Sequence, residues 1–288
     1  MTTETGSFGF AIQKEKGSFT TPDTWLPTLA VEDAIALRKS YGTYSTPRSG
    51  YVNRYNPTGT WAEGDLLIPL VPGVMANLLS WIQDRDTQNQ GKWASVLVDI
   101  DGSSSPLKVR DAKVRQATFF LHPNEPVLCK LSVVGLRAER GTGYHPVMPT
   151  AAPYIYKEAE MELATDGGAL EPASLGEVTI TADNSIEEAV NVPPWGLANC
   201  AGVRVTGAIH RDLMASAIYA DFAEGEEAAL SIELARGANS LSLSLPRILY
   251  TCWQTMLYPV PKLPRQMERV TFLGLGSTDG QTPPIVLA

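Results

Sequence analysis

The sequence predicts a mainly β protein made of tandem β-sandwich or β-barrel domains, each with one short flanking α-helix. Three observations support this prediction: apolar and polar residues alternate in many segments, turn residues separate those segments, and the elements recur in one order. The chain has 288 residues, which suits one large domain or two ordinary ones. The recurrence favours two domains, residues 1–145 and residues 146–288.

The clearest strands form two hairpins. Residues 230–234 and 241–245 alternate leucine or isoleucine with polar residues around a connector that contains Gly237. Residues 93–100 and 107–114 form a similar pair around the turn residues Asp101 and Gly102. Further strands are predicted at residues 62–69, 127–135, 177–182, 203–209 and 269–274.

Two segments have a convincing helical period, one after Pro72 and one after Asp212, and each spans about three turns. Their apolar positions are Val74, Leu78, Trp81 and Ile82 in the first segment, and Met214, Ile218 and Phe222 in the second. Residues 30–39 suit a third, short helix. The Tyr-rich stretch that follows, up to residue 57, is expected to be a long exposed loop or arm. The opening segment that contains GSFGF is expected to be an N-terminal arm.

The order of elements repeats along the chain. The segment LSVVGLRAERG, starting at Leu131, aligns without gaps on VTFLGLGSTDG, starting at Val270, so that Gly135 falls on Gly274. The two helical segments are separated by nearly the same interval. We interpret this self-similarity as a structural duplication, with the Gly- and Pro-containing residues 141–153 as the linker.

Charge and cysteine content exclude several classes of protein. The chain contains 23 lysine and arginine residues against 31 aspartate and glutamate residues, a net charge of −8, which disfavours binding of DNA through bulk charge. Three widely spaced cysteines indicate neither a disulfide framework nor a zinc site. Residues 66–82 are uncharged, but Pro69 and Pro72 interrupt them and they fall short of the roughly 20 apolar residues of a membrane span. The opening residues lack a signal-peptide pattern, so we expect synthesis in a cytoplasm and no membrane insertion.

No motif for catalysis, a cofactor or a metal is present. The three histidines, His122, His145 and His210, belong to no known catalytic pattern. Residues 99–105 lack ligands that a calcium loop requires, so a hairpin turn is favoured there. The carboxylate pairs are expected in solvated loops, and the tryptophans in the core or an interface more often than in a sugar-stacking platform. The carboxylate pairs are Glu187 with Glu188 and Glu226 with Glu227, and the tryptophans are Trp61, Trp81, Trp93, Trp195 and Trp253.

Several long segments together resemble the tail tube proteins, or major tail proteins, of long-tailed siphophage-type bacteriophages. They are GSFGFAIQKEKGSFTTPDTWLPT, TGTWAEGDLLIPLVPGVMANLLSWI, EVTITADNSIEEA, VRVTGAIHRDLMASAIYADF and SLSLSLPRILY. The resemblance is one of pattern over nearly the whole length, and the stretch from Tyr41 to Tyr55 departs from it.

The resemblance implies a structural virion protein of the tail, assembled in the host bacterial cytoplasm, whose stacked rings surround a channel for DNA. If six domains complete a ring, three chains suffice, giving a trimer with pseudo-sixfold symmetry. The implied partners are the chain itself, the tape measure, tail terminator and baseplate proteins, and passing DNA. An acidic channel would repel phosphates, and Asp99 and Glu233 are the candidate channel-facing residues.

Two other functions remain open at this point. A carbohydrate-binding or adhesin-like β-sandwich of a virion or cell surface would display a tryptophan cluster on one face. A hydrolase would need a cleft with paired carboxylates.

Overall fold

The computed structural model describes residues 4–29, 35–44, 54–99, 106–141, 144, 146–165, 167–189, 196–199, 201–213, 217–258 and 265–288. The protein is mainly β, as predicted, with a large antiparallel sheet. The first half contains β1 (Glu4–Ile12), β2 (Thr24–Leu29), β3 (Ala36–Tyr44), β4 (Arg54–Pro69), α1 (Ala76–Gln83), β5 (Ala94–Asp99), β6 (Leu107–Leu121) and β7 (Leu128–Arg140).

The second half begins with a 3-10 turn at Tyr156–Glu158. It contains β8 (Ala159–Ala164), β9 (Glu171–Pro172), β10 (Glu177–Asp183), β11 (Ile186–Ala189), β12 (Gly196–Asn199), β13 (Arg204–Asp212), α2 (Ala217–Glu224), β14 (Glu227–Arg236), β15 (Asn239–Tyr258), β16 (Arg265–Gly274) and β17 (Val286–Leu287). Strands β11 and β12 form a separate hairpin, and the others belong to one 15-stranded sheet.

The order of strand pairing is the same in both halves. It runs β2-β1-β5-β6-β7-β4-β3 in the first half and β9-β8-β14-β15-β16-β13-β10 in the second, and every pair is antiparallel. The helices occupy corresponding places, α1 between β4 and β5 and α2 between β13 and β14. In the first half a bridge between Leu29 and Leu67 joins β2 to β4, so the pairings there close into a barrel.

Alternation along the strands explains the core. In β14 the side chains of Leu230, Ile232 and Leu234 are buried, while the residues between them point away. Each buried side chain of this size contributes about 1.5–3 kcal/mol. The predicted hairpin between β14 and β15 is confirmed, and Gly237 takes the first turn position with φ 63°, as a type II′ turn requires.

Several expectations were wrong in detail. Residues 36–39 belong to strand β3 and not to a helix, because they pair with β4, and residues 30–34 lie outside the described part of the chain. The expected loop up to residue 57 contains the ends of β3 and β4. The opening segment is no arm, since Phe8 and Phe10 of β1 are fully buried and stack against Trp81 of α1.

Helix α1 has eight residues, about two turns and not three. Eight residues of α2 are described, Ala217–Glu224, and the predicted three turns of this helix stay a prediction. Helix α1 starts late because Gly73, with φ 82°, lies in a turn after Pro72. The residues that precede α2, 214–216, lie outside the described part of the chain.

Candidate functional site

The two halves meet where β6 pairs with β10. Strand β7 covers one edge of β6 along nearly its whole length. On the other edge, β5 covers the first part, up to Ala112, and β10 covers the second part, from Gln116 to Leu121. The sheet is therefore continuous from one half into the other.

Apolar and hydroxyl side chains separate onto the two faces of this junction. On the core face, Phe119 lies opposite Ile180 and both are fully buried. On the other face, the hydroxyls of Thr118 and Thr181 lie 3.1 Å apart. Burial of such apolar cross-strand pairs stabilises the junction as a hydrophobic core does.

A buried polar cluster holds the junction beside α1. Asn184, which follows β10, donates from Nδ2 to the carbonyl oxygens of Ile82 (3.1 Å) and Val114 (2.8 Å) in the first half. Its Oδ1 accepts a hydrogen bond from Arg85 Nη2. Asn199, at the end of β12, accepts from the Gly91 amide at 3.0 Å and donates to the Asn184 carbonyl at 2.9 Å. Each of these asparagines thus ties the second half to the first.

Lys113 of β6 completes the cluster. Its ammonium donates to Asn199 Oδ1 at 3.0 Å and to Gln90 Oε1 at 3.2 Å, and lies 4.4 Å from the centre of the Trp93 ring. Burial, and secondarily the nearby Arg85 charge, lowers the pKa of Lys113 to about 8. The side chain is 2% exposed, so this is a charged group held inside the protein by neutral acceptors and an aromatic ring.

In the second half, the strand edge that corresponds to the β10-covered edge of β6 has no partner among the described residues. Strand β15 occupies the position of β6, and β14 covers one of its edges only as far as Leu249. Strands β17 and β16 occupy the other edge. Among the described residues, no strand pairs with 250–258 on the β14 side.

A second open edge lies at the opposite end of the sheet. Strand β3 pairs with β4 and, within the described residues, with nothing on its outer edge. Leu37 on this strand is 45% exposed, although its pairing partner Ala62 is buried. The order β3-β4-β7-β6-β10-β13-β16-β15, named here the eight-strand band, thus has an unpaired edge at each end.

One face of the eight-strand band packs on the core, and the other is rich in threonine. Thr118, Thr181 and Thr206 lie directly opposite one another on three successive strands. Both signs of charge occur on this threonine face, as at Asp65, whose carboxylate lies 2.7 Å from the Lys130 ammonium. The face is therefore hydroxyl-rich and mixed in charge rather than uniformly acidic.

Asp99 and Glu233 lie at matching positions, but not on the eight-strand band. Val98 of β5 pairs with Leu107 of β6, and Ile232 of β14 pairs with Leu243 of β15 at the corresponding place in the second half. Asp99 follows Val98 and Glu233 follows Ile232, so the two acidic residues correspond to each other. Glu233 is exposed and lies beside Glu160 of β8, whereas Asp99 is partly buried opposite Ser7. Their role in a channel stays a prediction, because it concerns the assembled protein.

The histidine and carboxylate candidates are distributed over different elements. His122 and His210 both approach Glu177, with Nδ1 to carboxylate distances of 3.5 Å and 3.2 Å, and His145 lies outside the described residues. Glu227 is no loop residue: it starts β14 and forms a two-oxygen ion pair with Arg247. Its neighbour Glu226 is exposed. The other carboxylate pair, at residues 187–188, lies on β11.

The tryptophans do not form one platform. Trp81 is buried, and residue 195 lies outside the described part. Trp61 and Trp93 are partly buried against one small cluster of Val134, Ile186 and Leu197, whereas Trp253 is partly buried against the main core. Trp253 meets Tyr219 of α2 edge to face at a centroid distance of 4.9 Å, and Tyr219 is 48% exposed.

A shallow cleft beside α1 offers little chemistry. Its lining includes Asp23, Asn77 and Val147, and Asp23 is the ionisable side chain among the described residues that line it. No group of three or more His, Cys, Asp or Glu side chains could hold a metal ion in the part of the chain that the structure describes. Nor is any described helix long and apolar enough to cross a membrane.

Sequence reasoning missed the buried polar cluster. The one signal in the sequence is the interruption of alternation at residues 110–113. In the structure, Asp111 adopts φ 54° at this place, and a bulge shifts the register of the β5–β6 pairing between Val96 and Ala94. Neither asparagine carries a signal of its own, since each is polar in a polar segment.

Comparison with protein-family models and with curated proteins finds no match to this chain.

Proposed function

We propose that this chain is a structural virion protein, a tail tube subunit whose copies assemble into stacked rings that form a conduit for DNA. The observation that carries the proposal is the eight-strand band, because among the described residues the strand at each of its ends has an edge without a partner. Exposed edges drive pairing with other chains, and closing a ring removes them.

The repeated pairing order supports a ring of three chains. Each half contributes four strands to the band, so one chain supplies two similar units and three chains supply six. About twenty-four strands spaced about 4.8 Å apart give a circumference of roughly 115 Å, or a backbone diameter of roughly 37 Å before strand tilt widens it. Such a ring leaves room for a nucleic-acid duplex.

The threonine face is the channel lining in this proposal. The core side of the band carries further strands, a helix and loops. These elements take up more space than the band itself, so they fit on the outside of a closed ring, where the circumference is larger. The threonine face then lies inside the ring. Hydroxyls and balanced charges offer no cluster of cations to hold phosphates, so DNA passes without being retained. On this arrangement Asp99 and Glu233 lie outside the channel, and the tape measure, tail terminator and baseplate proteins meet the ends of the tube.

Electron microscopy of the purified chain over a concentration series, with light scattering to count subunits, tests the proposal. Hollow rings or tubes with three chains per ring are the expected result. Hexamers of chains would contradict the pairing of two units in one chain.

A surface-binding β-sandwich is the second candidate, and the exposed Tyr219 beside Trp253 favours it. A monomer that persists at all concentrations and binds in a glycan screen through these two residues would replace the tail tube proposal.

A further inference from the structure

We propose that the β6–β10 junction inside one chain is the template for the contact between chains: β3 of one copy pairs antiparallel with the open edge of β15 in the next. The inference rests on self-assembly, as the proposed function does, but it requires no passage of DNA. It follows from matching the two halves residue by residue.

The match between β6 and β15 starts from two glycines. Gly135 pairs with Ala112 of β6, and Gly274 pairs with Ile248 of β15. Both strands then carry a bulge at the same distance, between Val114 and Gln116 in β6 and between Tyr250 and Cys252 in β15. Cys252 therefore corresponds to Gln116, and Trp253 to Ala117.

The match between β10 and β3 starts from the same glycines. Gly135 also pairs with Ala62, and Gly274 with Val205. Ala62 pairs in turn with Leu37 of β3, and Val205 with Ala182 of β10. Leu37 therefore corresponds to Ala182, and Arg38 to Asp183.

The internal junction then gives the register between copies. Within the chain, Ala182 lies opposite Ala117, and Asp183 lies opposite Gln116. Between copies, Leu37 therefore lies opposite Trp253, and Arg38 lies opposite Cys252.

The exposure of these residues agrees with an unpartnered edge. Leu37 is 45% exposed, whereas its counterpart Ala182 is 1% exposed. Thr251, Cys252, Gln254 and Thr255 are all exposed on β15. Pairing would cover the Leu37 side chain with Trp253, whose indole N–H is already satisfied by Glu268 at 2.7 Å.

The two edges are different surfaces, so the contact is head to tail. Contacts of this kind close into rings when the rotation between copies allows it. The same pairing in every copy leaves no open band edge in the ring.

A cysteine at position 38 tests this register with the chain's own thiol. Cys252 is exposed and free. Directly opposite residues of an antiparallel pair have Cα atoms about 4.5–5.5 Å apart, within the range of a disulfide. We expect Arg38→Cys to form disulfide-linked oligomers on mild oxidation, ending at three chains on a non-reducing gel. The exposed ion pair of Arg38 with Glu63 is lost, at little cost.

Two control variants fix the interpretation. Arg38→Cys combined with Cys252→Ser should not link. Ala36→Cys faces the same side but lies opposite Gln254, so its Cα is about 7–8 Å from that of Cys252 and it should not link either. Cys200 is common to every variant and gives the same background.

Each outcome separates the pairing from the proposed function. Rings in the microscope with no link at position 38, or with a link at position 36, overturn the pairing and leave the ring standing. Links at position 38 without hollow rings support the pairing and overturn the tail tube. A chain that neither assembles nor links overturns both.

Discussion

Lys113 is a buried ammonium whose hydrogen-bond acceptors among the described residues are neutral, and this makes stability depend on pH. Its pKa is about 8 in the folded protein against 10.5 for an ordinary lysine. Between these values the unfolded chain holds the proton and the folded chain does not, so the stability contributed by this group rises with pH. Below about 8 both states are protonated, and the folded state carries the full cost of burying the charge.

The Lys113→Met variant tests this dependence. The free energy of unfolding of the natural chain should rise relative to the variant between about pH 8 and 10, with a slope of at most about 1.4 kcal/mol per pH unit. Urea denaturation of both proteins across this range measures the difference. Curves that stay parallel would show that Lys113 is solvated in the folded state.

Arg236 fastens the linker to the second half. Its guanidinium binds both carboxylate oxygens of Glu158, at 2.5 Å each, and donates to the carbonyl oxygens of Ala152 (2.6 Å) and Pro153 (2.8 Å). This ion pair lowers the pKa of Glu158. Only a planar fork with several N–H groups reaches all these acceptors.

We therefore expect both Arg236→Ala and Arg236→Lys to lower the free energy of unfolding by about 1–3 kcal/mol. Chemical denaturation at neutral pH measures the losses. If lysine restored the full stability, charge alone would explain the role of this residue, and the fork would be irrelevant.

Strand β13 has no room for a side chain at Gly207, where neighbouring atoms lie close to the backbone. A Cβ atom at Gly207 would lie 2.3 Å from Cζ of the buried Phe272 ring and 2.5 Å from the Thr179 carbonyl oxygen. Neither neighbour has space to move, since the ring is in the core and the carbonyl belongs to the adjacent strand β10.

Gly207→Ala should therefore destabilise the protein by about 1–3 kcal/mol, as overpacking of a core does. Ala208→Ser is the matched control, because its side chain points to the threonine face, and it should change the free energy of unfolding by less than about 0.5 kcal/mol. Thermal or urea unfolding compares the two variants. Equal stabilities would mean that Phe272 yields to the added methyl group.

The elements that could be predicted are those whose signals are local. The β14–β15 hairpin has alternating leucines and a turn glycine within about twenty residues, so pattern alone specifies it. Strand β3 has a helix-favouring sequence around Leu37 and becomes a strand because β4 pairs with it. Strand β1 is no arm because it pairs on both sides, with the nearby β2 and with β5, and the second partner lies far along the chain.

The same limit applies to the candidate site. Alternation along β14 leaves Glu233 exposed between the buried neighbours Ile232 and Leu234. It does not specify which sheet layer would line the proposed channel, because that depends on the β6–β10 pairing between distant segments. The residues of the junction, such as Asn184 and Asn199, acquire their role only from that pairing.

At the scale of the whole molecule, the two possible channel linings can be told apart by the reach of a bulky reagent. Thr206 lies on the threonine face of the band, and Glu233 lies on β14 outside it. The variants Thr206→Cys and Glu233→Cys, each in a Cys252→Ser background, place one new thiol on each surface.

In assembled tubes, a polymer-linked maleimide too large to enter the channel should label Glu233→Cys and spare Thr206→Cys, whereas both should react before assembly. The expectation follows from geometry: the core layers need the outer circumference, so the band's free face is enclosed when its edges close. Gel shifts of the labelled chains measure the protection, with Cys200 as a background shared by both variants. Protection of position 233 in place of position 206 would put the acidic face of β14 in the channel, restore Asp99 and Glu233 as its lining, and require the tube to close through a different set of strands.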